Sequence, residues 1–414
     1  MCDDFRKHHP MVTRIAGKRV NCGHTVADMP FDPSDPAFVA DPYPTFAALR
    51  AKAPVHRAEK LGLAVAVTHA ACSEVLRARS LGRIWSDATP IEQFTSFNLL
   101  HRNSLLENEP PTHTRLRRLV SKAFGRGHTE RLRPWVDELA LRLVEDLASA
   151  GSGDLLATVA APLPVEVIAE LLGVPATDRP LLVPWSNAIV KMYEYGLPEQ
   201  ARAEAERAAT EFVTYLRSLA ADPAPDSLVS DLVSVRAEGD RLSQDELVAT
   251  AVLLLMAGHE ATVNVIGNGV LALLRNRSQW QRLVDDPALI PTAVEELIRY
   301  DAPLQLFERT ATAEVTIAGY PVKPGEKIAA LLGAAARDPL AFDRPDTLDV
   351  GRNPNPHLGF GAGIHYCVGA PLARVEITAA LTALVTRMPG LDLAGEPERR
   401  PEFVIRGLRK LPVS

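Results

Sequence analysis

The chain has 414 residues and a net charge of −6, with 47% hydrophobic and 23% charged residues. That composition is ordinary for a globular protein with a large core, and the acidic balance argues against general nucleic-acid binding. Four cysteines, Cys2, Cys22, Cys72 and Cys367, are too scattered for a disulfide framework and point to a reducing cytoplasm. The N-terminus has no apolar signal core. The most apolar run, Ala251 to Ala257, is far too short to span a bilayer, so a soluble protein without a membrane is expected. Length alone suggests two or three domains.

Residues 1 to about 28 show no period and are expected to form a flexible N-terminal arm. Proline punctuation follows at Pro30, Pro33, Pro36, Pro42 and Pro44. Tyr43 to Lys52 reads as a short helix, Leu63 to Thr68 as a strand and Ala70 to Arg79 as a helix. Ser86 to Glu109 lacks a strong period and reads as a long loop, a class of segment that is often functional. From Thr112 the chain turns helical, with helical spacing over Trp135–Ala150, Pro164–Leu172, Pro180–Tyr195 and Glu199–Ala220. His113 and Arg117 are four apart and share a face, a pair of donors suited to a carboxylate. Arg115, Arg118 and Lys122 fall on the face roughly opposite His113. Such a basic stripe reads either as a solubilising face or as a dock for an acidic partner.

Ser243 and Glu246 form a capping box at the start of a long apolar helix expected to reach about Arg275. Inside it lies Ala257-Gly258-His259-Glu260-Ala261-Thr262. A mid-helix glycine costs about 1 kcal/mol relative to alanine, and a buried acid is expensive unless partnered or wet. His259-Glu260 begins like a zinc-protease H-E-x-x-H, but Val263 fills the last position and that reading fails. Glu296 and Arg299 make an i,i+3 acid–base pair. Short strands are expected near Val315–Ile317 and Lys327–Leu332. No internal repeat or low-complexity linker is present.

The most informative stretch is Phe360-Gly361-Ala362-Gly363-Ile364-His365-Tyr366-Cys367-Val368-Gly369, with Gly359 just before it. Glycines allow positive φ and close approach. A helix starting at the cysteine would aim unpaired N–H groups at its sulfur and favour the thiolate. A zinc site needs about four ligands, and the other cysteines are distant with no C-x-x-C spacing. A dinucleotide loop needs a third glycine that is missing here.

The pattern F-G-x-G-x-H-x-C-x-G resembles the haem-binding loop of the cytochrome P-450 family, and the resemblance extends from roughly residue 30 to the C-terminus. It implies a mainly α fold with small β-sheets, in which the haem lies between a long central helix and a Cys loop. It overrules the length prior: residues 1–28 become the arm and 29–414 a single domain. The cofactor implied is heme b, iron protoporphyrin IX, with an axial thiolate from Cys367 that favours O–O cleavage. Phe360, Gly361 and Gly369 shape the loop.

By the same resemblance His113, Arg117, Arg309 and His365 bind haem propionates. Ala257 and Gly258 let the central helix kink and leave room for dioxygen. Glu260 matches the acid that manages protons. Ala261 stands where the family usually has a threonine, and Thr262 matches only the second threonine. A substrate hydroxyl or an ordered water would fill that gap. Thr262 could reach in from a neighbouring face, although adjacent helical residues point about 100° apart. Peroxide use or oxidative coupling would ease the need for protons.

Glu296 and Arg299 resemble the fold-locking E-x-x-R. The expected third arginine position is Thr347, so Arg344 or Arg352 would substitute. Phe97, Ile189, Leu254, Leu304, Leu306 and Ile405, with Ile84, Leu99 and Met192, suggest an apolar substrate pocket without charge.

The function implied is a haem-thiolate monooxygenase that hydroxylates or epoxidises a hydrophobic secondary metabolite. A macrolide or other polyketide comes first, a terpenoid or steroid second. An oxidative-coupling enzyme is the nearest rival and a haem sensor the more distant one. Implied partners are a ferredoxin or flavodoxin with an NAD(P)H-dependent reductase, and a small hydrophobic substrate.

Overall fold

The structure is a computed structural model that describes residues 31–125, 127–194, 196–237 and 239–414, so the arm read at residues 1–28 lies outside the described residues. It opens with α1 (Pro36–Ala40), α2 (Tyr43–Lys52) and the paired strands β1 (Val55–Ala58) and β2 (Leu63–Ala66). α3 (His69–Arg77) begins at Thr68, whose hydroxyl accepts the Ala71 N–H. β3 (Leu81–Gly82) follows.

The segment expected to be a loop holds α4 (Thr95–Arg102), which has no side-chain cap of its own. The distant Glu206 caps it instead, accepting the N–H groups of Ser96 and Phe97, each at 2.9 Å. A cap supplied by tertiary contact leaves no local signature, and the buried face of the helix carries the polar Asn98 and His101 beside Phe97 and Leu100, which hides its hydrophobic period.

The helical region comprises α5 (Thr112–Phe124), α6 (His128–Ala150), the short strand β4 (Gly153–Asp154), α7 (Pro162–Leu172), α8 (Arg179–Val190), α9 (Glu199–Ala221) and α10 (Leu228–Ser234). α6 starts seven residues before the expected Trp135 because it accommodates Pro134 inside the helix. α11 (Gln244–Arg275) starts at the capping box, with Ser243 Oγ accepting the Glu246 N–H at 3.2 Å and Glu246 accepting the Ser243 N–H at 2.8 Å. Its 32 residues are long and apolar enough to cross a membrane by length and composition. The expectation drawn from Ala251–Ala257 understated this. Burial accounts for it: 72% of the helix's most apolar window lies inside the protein.

α12 (Arg277–Asp285) and α13 (Ile290–Tyr300) lead to β5 (Leu306–Ala311), β6 (Val315–Ile317), β7 (Tyr320–Val322), β8 (Lys327–Leu331) and α14 (Leu332–Ala335). After the Cys367 loop come α15 (Ala370–Arg387), β9 (Glu398–Arg399), β10 (Leu408–Lys410) and β11 (Pro412–Val413).

Among the described residues the largest sheet has the order β1-β2-β8-β5-β3, with β2 parallel to β8 and the other pairs antiparallel. Both its faces are covered. Leu63 and Val65 pack with Phe46 and Phe403, while Ala64 and Ala66 pack with Cys72 and Leu76. A strand buried on both faces reads as a continuous apolar run, as β2 does. The β5–β8 register sets Arg309 opposite Ile328 and Leu306 opposite Leu331. The third and largest cluster is helical and centres on α11, with α6, α7, α9 and α15 around it.

Candidate active site

The cysteine loop is held by backbone. Gly361 and Gly363 adopt φ of 72° and 70°. A Cβ on Gly359 would lie 2.4 Å from Ile298 Cγ2, and one on Gly363 would lie 2.7 Å from the Leu76 carbonyl oxygen. The Cys367 N–H donates to the Phe360 oxygen at 2.9 Å. α15 starts at Ala370, three residues past the cysteine, with Gly369 at its cap. Burial pushes the Cys367 thiol up. The Gly369 N–H, the Arg117 charge and the Ala370 N–H oppose this without overcoming it. The Gly369 and Ala370 N–H groups at the start of α15 thus act toward the thiolate, against burial. Behind the loop, the Arg374 guanidinium lies 4.5 Å over the Phe360 ring and grips Glu295 at 2.6 and 2.9 Å. His357 bonds the same carboxylate at 2.9 Å.

Glu296 and Arg299 are fully buried and bonded twice, each at 2.8 Å. Arg352 completes the group, its Nε at 3.0 Å from Glu296 Oε2, and Asn355 adds a bond at 3.1 Å. Arg299 also donates to the carbonyls of Ala336 and Pro345 at 2.7 and 2.8 Å. Of the two arginines weighed from sequence, Arg352 is the one in contact. Arg344 pairs with Asp343 instead.

One imidazole and two guanidiniums converge without a carboxylate hydrogen-bonded to them among the described residues. His113 is buried, its Nε2 has no hydrogen-bond partner, and burial, with the charge of His365, lowers its pKa to about 4. Its ring lies 4.4 Å from that of His365. Arg309 is 4% exposed and donates only to the Glu308 carbonyl at 2.8 Å, and burial beside Arg83 lowers it to about 10. Arg117 is half-buried and its pKa is likewise lowered by burial. An orphaned imidazole nitrogen and two uncompensated guanidiniums fit a bound dicarboxylate. His365 itself is engaged by Glu109 at 2.8 Å, and that carboxylate also accepts the Arg83 N–H at 2.7 Å.

A cavity of about 510 Å³ opens beside α11. Leu253, Met256, Ala257, Glu260 and Ala261 supply one wall, the period of a single helix face. Of the residues named from sequence, Ile84, Met192, Leu304, Leu306 and Ile405 line it, joined by Trp85 and Val190, whereas Leu99 packs against the helical core. Phe97, Ile189 and Leu254 are packed in the helical core and do not line it. Phe97 lies in an aromatic stack with Trp85 and His101. The walls are not free of charge as expected: Arg83, Glu107, Glu194, Glu260, Glu308 and Lys327 also line the cavity.

A family model described as cytochrome P450 matches residues 165–389, a stretch that holds both α11 and the Cys367 loop. The chain belongs to the cytochrome P450 family. It is similar to the polyketide biosynthesis cytochrome P450 PksS of Bacillus subtilis, 35% identical over 93% of this chain and 98% of that protein. It is also similar to the mycinamicin IV hydroxylase/epoxidase of Micromonospora griseorubida, 43% identical over 75% of this chain and 80% of that protein. Among solved structures it resembles P450BioI in complex with hexadec-9Z-enoic acid ligated acyl carrier protein, with a TM-score of 0.86 and 34% identity over 91% of this chain and 99% of that one. The protein is thus a P450 monooxygenase with heme b and an axial cysteine thiolate, Cys367.

Within this P450, α11 runs uninterrupted from Gln244 to Arg275. Gly258 serves close packing, since a Cβ there would lie 3.2 Å from Ile168 of α7. Thr262 turns away from the cavity. Its hydroxyl donates to the Gly258 carbonyl at 3.2 Å and faces Glu376 of α15. Glu376 is 2% exposed, and burial pushes its carboxyl well above the ordinary range. Glu260 points into the cavity wall. Burial raises its pKa, but His259 and then Arg400 outweigh that and hold it below the ordinary value. Arg400 Nη1 lies 3.3 Å from Glu260 Oε2, and its side chain is 31% exposed.

The basic stripe on α5 is partly spent within the fold. Arg115 pairs with Glu246 and Asp240, and Lys122 donates to the Arg236 carbonyl at 2.7 Å. Glu109, Arg400 and Glu376 were not singled out from sequence. Glu109 stands one turn before His113, a spacing that could have flagged it. Arg400 sits in a segment with no period and had no such signal.

Proposed function

We propose that this P450 inserts one oxygen atom from O2, by hydroxylation or epoxidation, into a hydrophobic secondary metabolite of the macrolide or polyketide type. The observation that carries the reading is the cavity of about 510 Å³ whose apolar walls meet the α11 face of Ala257, Glu260 and Ala261. The size and lining suit a medium or large apolar ligand. Relatives whose names give polyketide biosynthesis and a hydroxylase/epoxidase support the same class. Residues 29–414 act as one cytoplasmic domain. A ferredoxin or flavodoxin, served by an NAD(P)H-dependent reductase, supplies the electrons.

The haem supplies the redox chemistry of dioxygen when bound. His113, Arg117 and Arg309 hold its propionates, with His365 steered by Glu109, and Cys367 is its ligand. Glu260 is the proton-carrying group at the cavity wall, and Arg400 links it to solvent. Ala261 gives no hydroxyl, and Thr262 spends its own on Gly258 and Glu376. The missing hydrogen-bond donor is therefore a substrate hydroxyl or a water held beside Glu260.

A ferric Soret titration of the holoprotein tests this reading. The panel comprises macrolide aglycones, terpenoids, steroids and carrier-tethered acyl thioesters. A shift to high spin with the macrolides supports it. A shift only with another class moves the substrate. A spectrum without a thiolate haem removes Cys367 from its role.

A further inference from the structure

The cavity wall carries four carboxylates with different partners. Glu107 pairs with Arg83, Glu308 with Lys327 at 3.0 Å, and Glu260 with Arg400 at 3.3 Å. Glu194 lines the same cavity and pairs with no cation among the described residues. It lies just past the short turn of helix Lys191–Tyr193 that follows α8. Its two oxygens accept only backbone N–H groups, from Val404 at 3.3 Å and Ile405 at 3.2 Å. Those bonds fix the carboxylate against the turn that carries Ile405 but bring no countercharge. Glu402, beside it, adds a second acid, whose Oε2 is buried without a hydrogen-bond partner. Burial and the Glu402 charge both push the Glu194 carboxyl up, as expected where a cation is missing.

We infer that Glu194 is a specificity-determining residue of the substrate cavity and selects a substrate bearing a positively charged nitrogen beside the Val404–Ile405 turn. The inference rests on reading this cavity as the substrate site. The apolar wall supplies affinity without direction, and one uncompensated carboxylate fixes orientation. A cation there would meet Glu194, with the Glu402 charge close behind it, across a partly desolvated wall where charge is weakly screened. An anion at the same end would be repelled by both. A neutral ligand would leave the two acids facing one another.

The test uses the holoprotein and three probes with one ten-carbon chain: decyltrimethylammonium, decan-1-ol and decanoate. The quaternary nitrogen cannot ligate iron, so binding reads the cavity alone. Calorimetry is expected to rank ammonium above alcohol and alcohol above carboxylate. Ammonium should bind about tenfold tighter than the alcohol, equivalent to about 1.4 kcal/mol. In Glu194→Gln that preference should shrink to about twofold or less while alcohol affinity holds, and Glu194→Asp should retain part of it. Equal binding of ammonium and alcohol in the unaltered protein overturns the inference, as does a preference that survives Glu194→Gln. A protein that shows a thiolate haem yet binds none of the three probes overturns instead the reading of the cavity on which the inference rests.

Discussion

The cysteine side and the cavity side of this P450 are built on opposite plans. Around Cys367 the protein is over-determined. Gly359 and Gly363 sit where a Cβ would collide with neighbours, Arg374 is held by a bidentate carboxylate, and Glu296 is gripped by Arg299, Arg352 and Asn355. Along the cavity Glu107, Glu308 and Glu260 have cationic partners, but Glu194 has none among the described residues and Ala261 offers no hydroxyl. Satisfied buried networks lock one geometry, whereas unsatisfied groups mark where something else must bind. The tightly bonded side carries the cysteine loop, and the less tightly bonded side lines the cavity.

Breaking the cysteine side should have the larger consequences. Cys367→Ser removes the soft ligand, and turnover should be lost entirely, with the reduced carbonyl spectrum no longer that of a thiolate haem. A variant that kept that spectrum would place the ligand elsewhere. Next in size is Glu296→Ala. It strands the fully buried Arg299 and removes a partner of the largely buried Arg352, and removing one partner of a buried pair typically costs about 3–5 kcal/mol. Denaturant unfolding of the holoprotein should show a loss on that scale. Arg352→Ala should cost less, because Asn355 and the Asp349 N–H still bond Glu296. Equal losses in the two variants would show that the group is not centred on Glu296.

The two sides also differ in how far they can be read from sequence. Cys367, His365 and the glycines lie within one short run whose residue types are each forced by local backbone, so the motif carries the geometry. The Glu296–Arg299 pair is legible for the same reason, since three residues of helix hold both members. Arg352 required the fold, because its approach depends on the turns after α14. On the cavity side Leu304, Leu306 and Ile405 were found by position, but Phe97, Ile189 and Leu254 face the core. Leu254 differs from the cavity-lining Leu253 by one helical step, about 100° of rotation, which an all-apolar helix does not encode. The charges that line the cavity come from six separate segments, and α4 is capped from α9, so neither leaves a local pattern.

A smaller effect sharpens the cavity side. Ala261→Thr restores the hydroxyl usual in the family on the face that carries Ala257 and Glu260. If a substrate hydroxyl or held water already serves there, coupling of NAD(P)H use to product should change by less than about threefold, a shift of under about 0.7 kcal/mol. The measurement is product formed per NAD(P)H consumed with a hydroxyl-bearing substrate. A large gain in coupled turnover would show that the proton route is incomplete without a side-chain hydroxyl.

The smallest expected effect returns to the cysteine side and asks whether its charges are locked as firmly as its backbone. Burial raises the Glu295 carboxyl, but the bonds from Arg374 and His357 outweigh that and hold it at about 2, below its ordinary 4.5. A carboxyl depressed on folding contributes stability that is present above its unfolded value and is lost as pH falls through the folded one. Its contribution should therefore fade between about pH 4.5 and about pH 2. The pair is part-exposed, with side-chain exposures of 37% for Arg374 and 27% for Glu295, so solvent screening keeps the effect modest. Glu295→Gln should lower stability slightly at neutral pH and flatten the acid limb of unfolding in that window. Because Arg374 lies over Phe360 and Phe360 accepts the Cys367 N–H, the same variant should also loosen the haem ligand. Acid-induced loss of the thiolate Soret band should then begin at a higher pH than in the unaltered protein. An unchanged acid limb with an earlier loss of the band would assign Glu295 to holding the loop rather than to stabilising the fold.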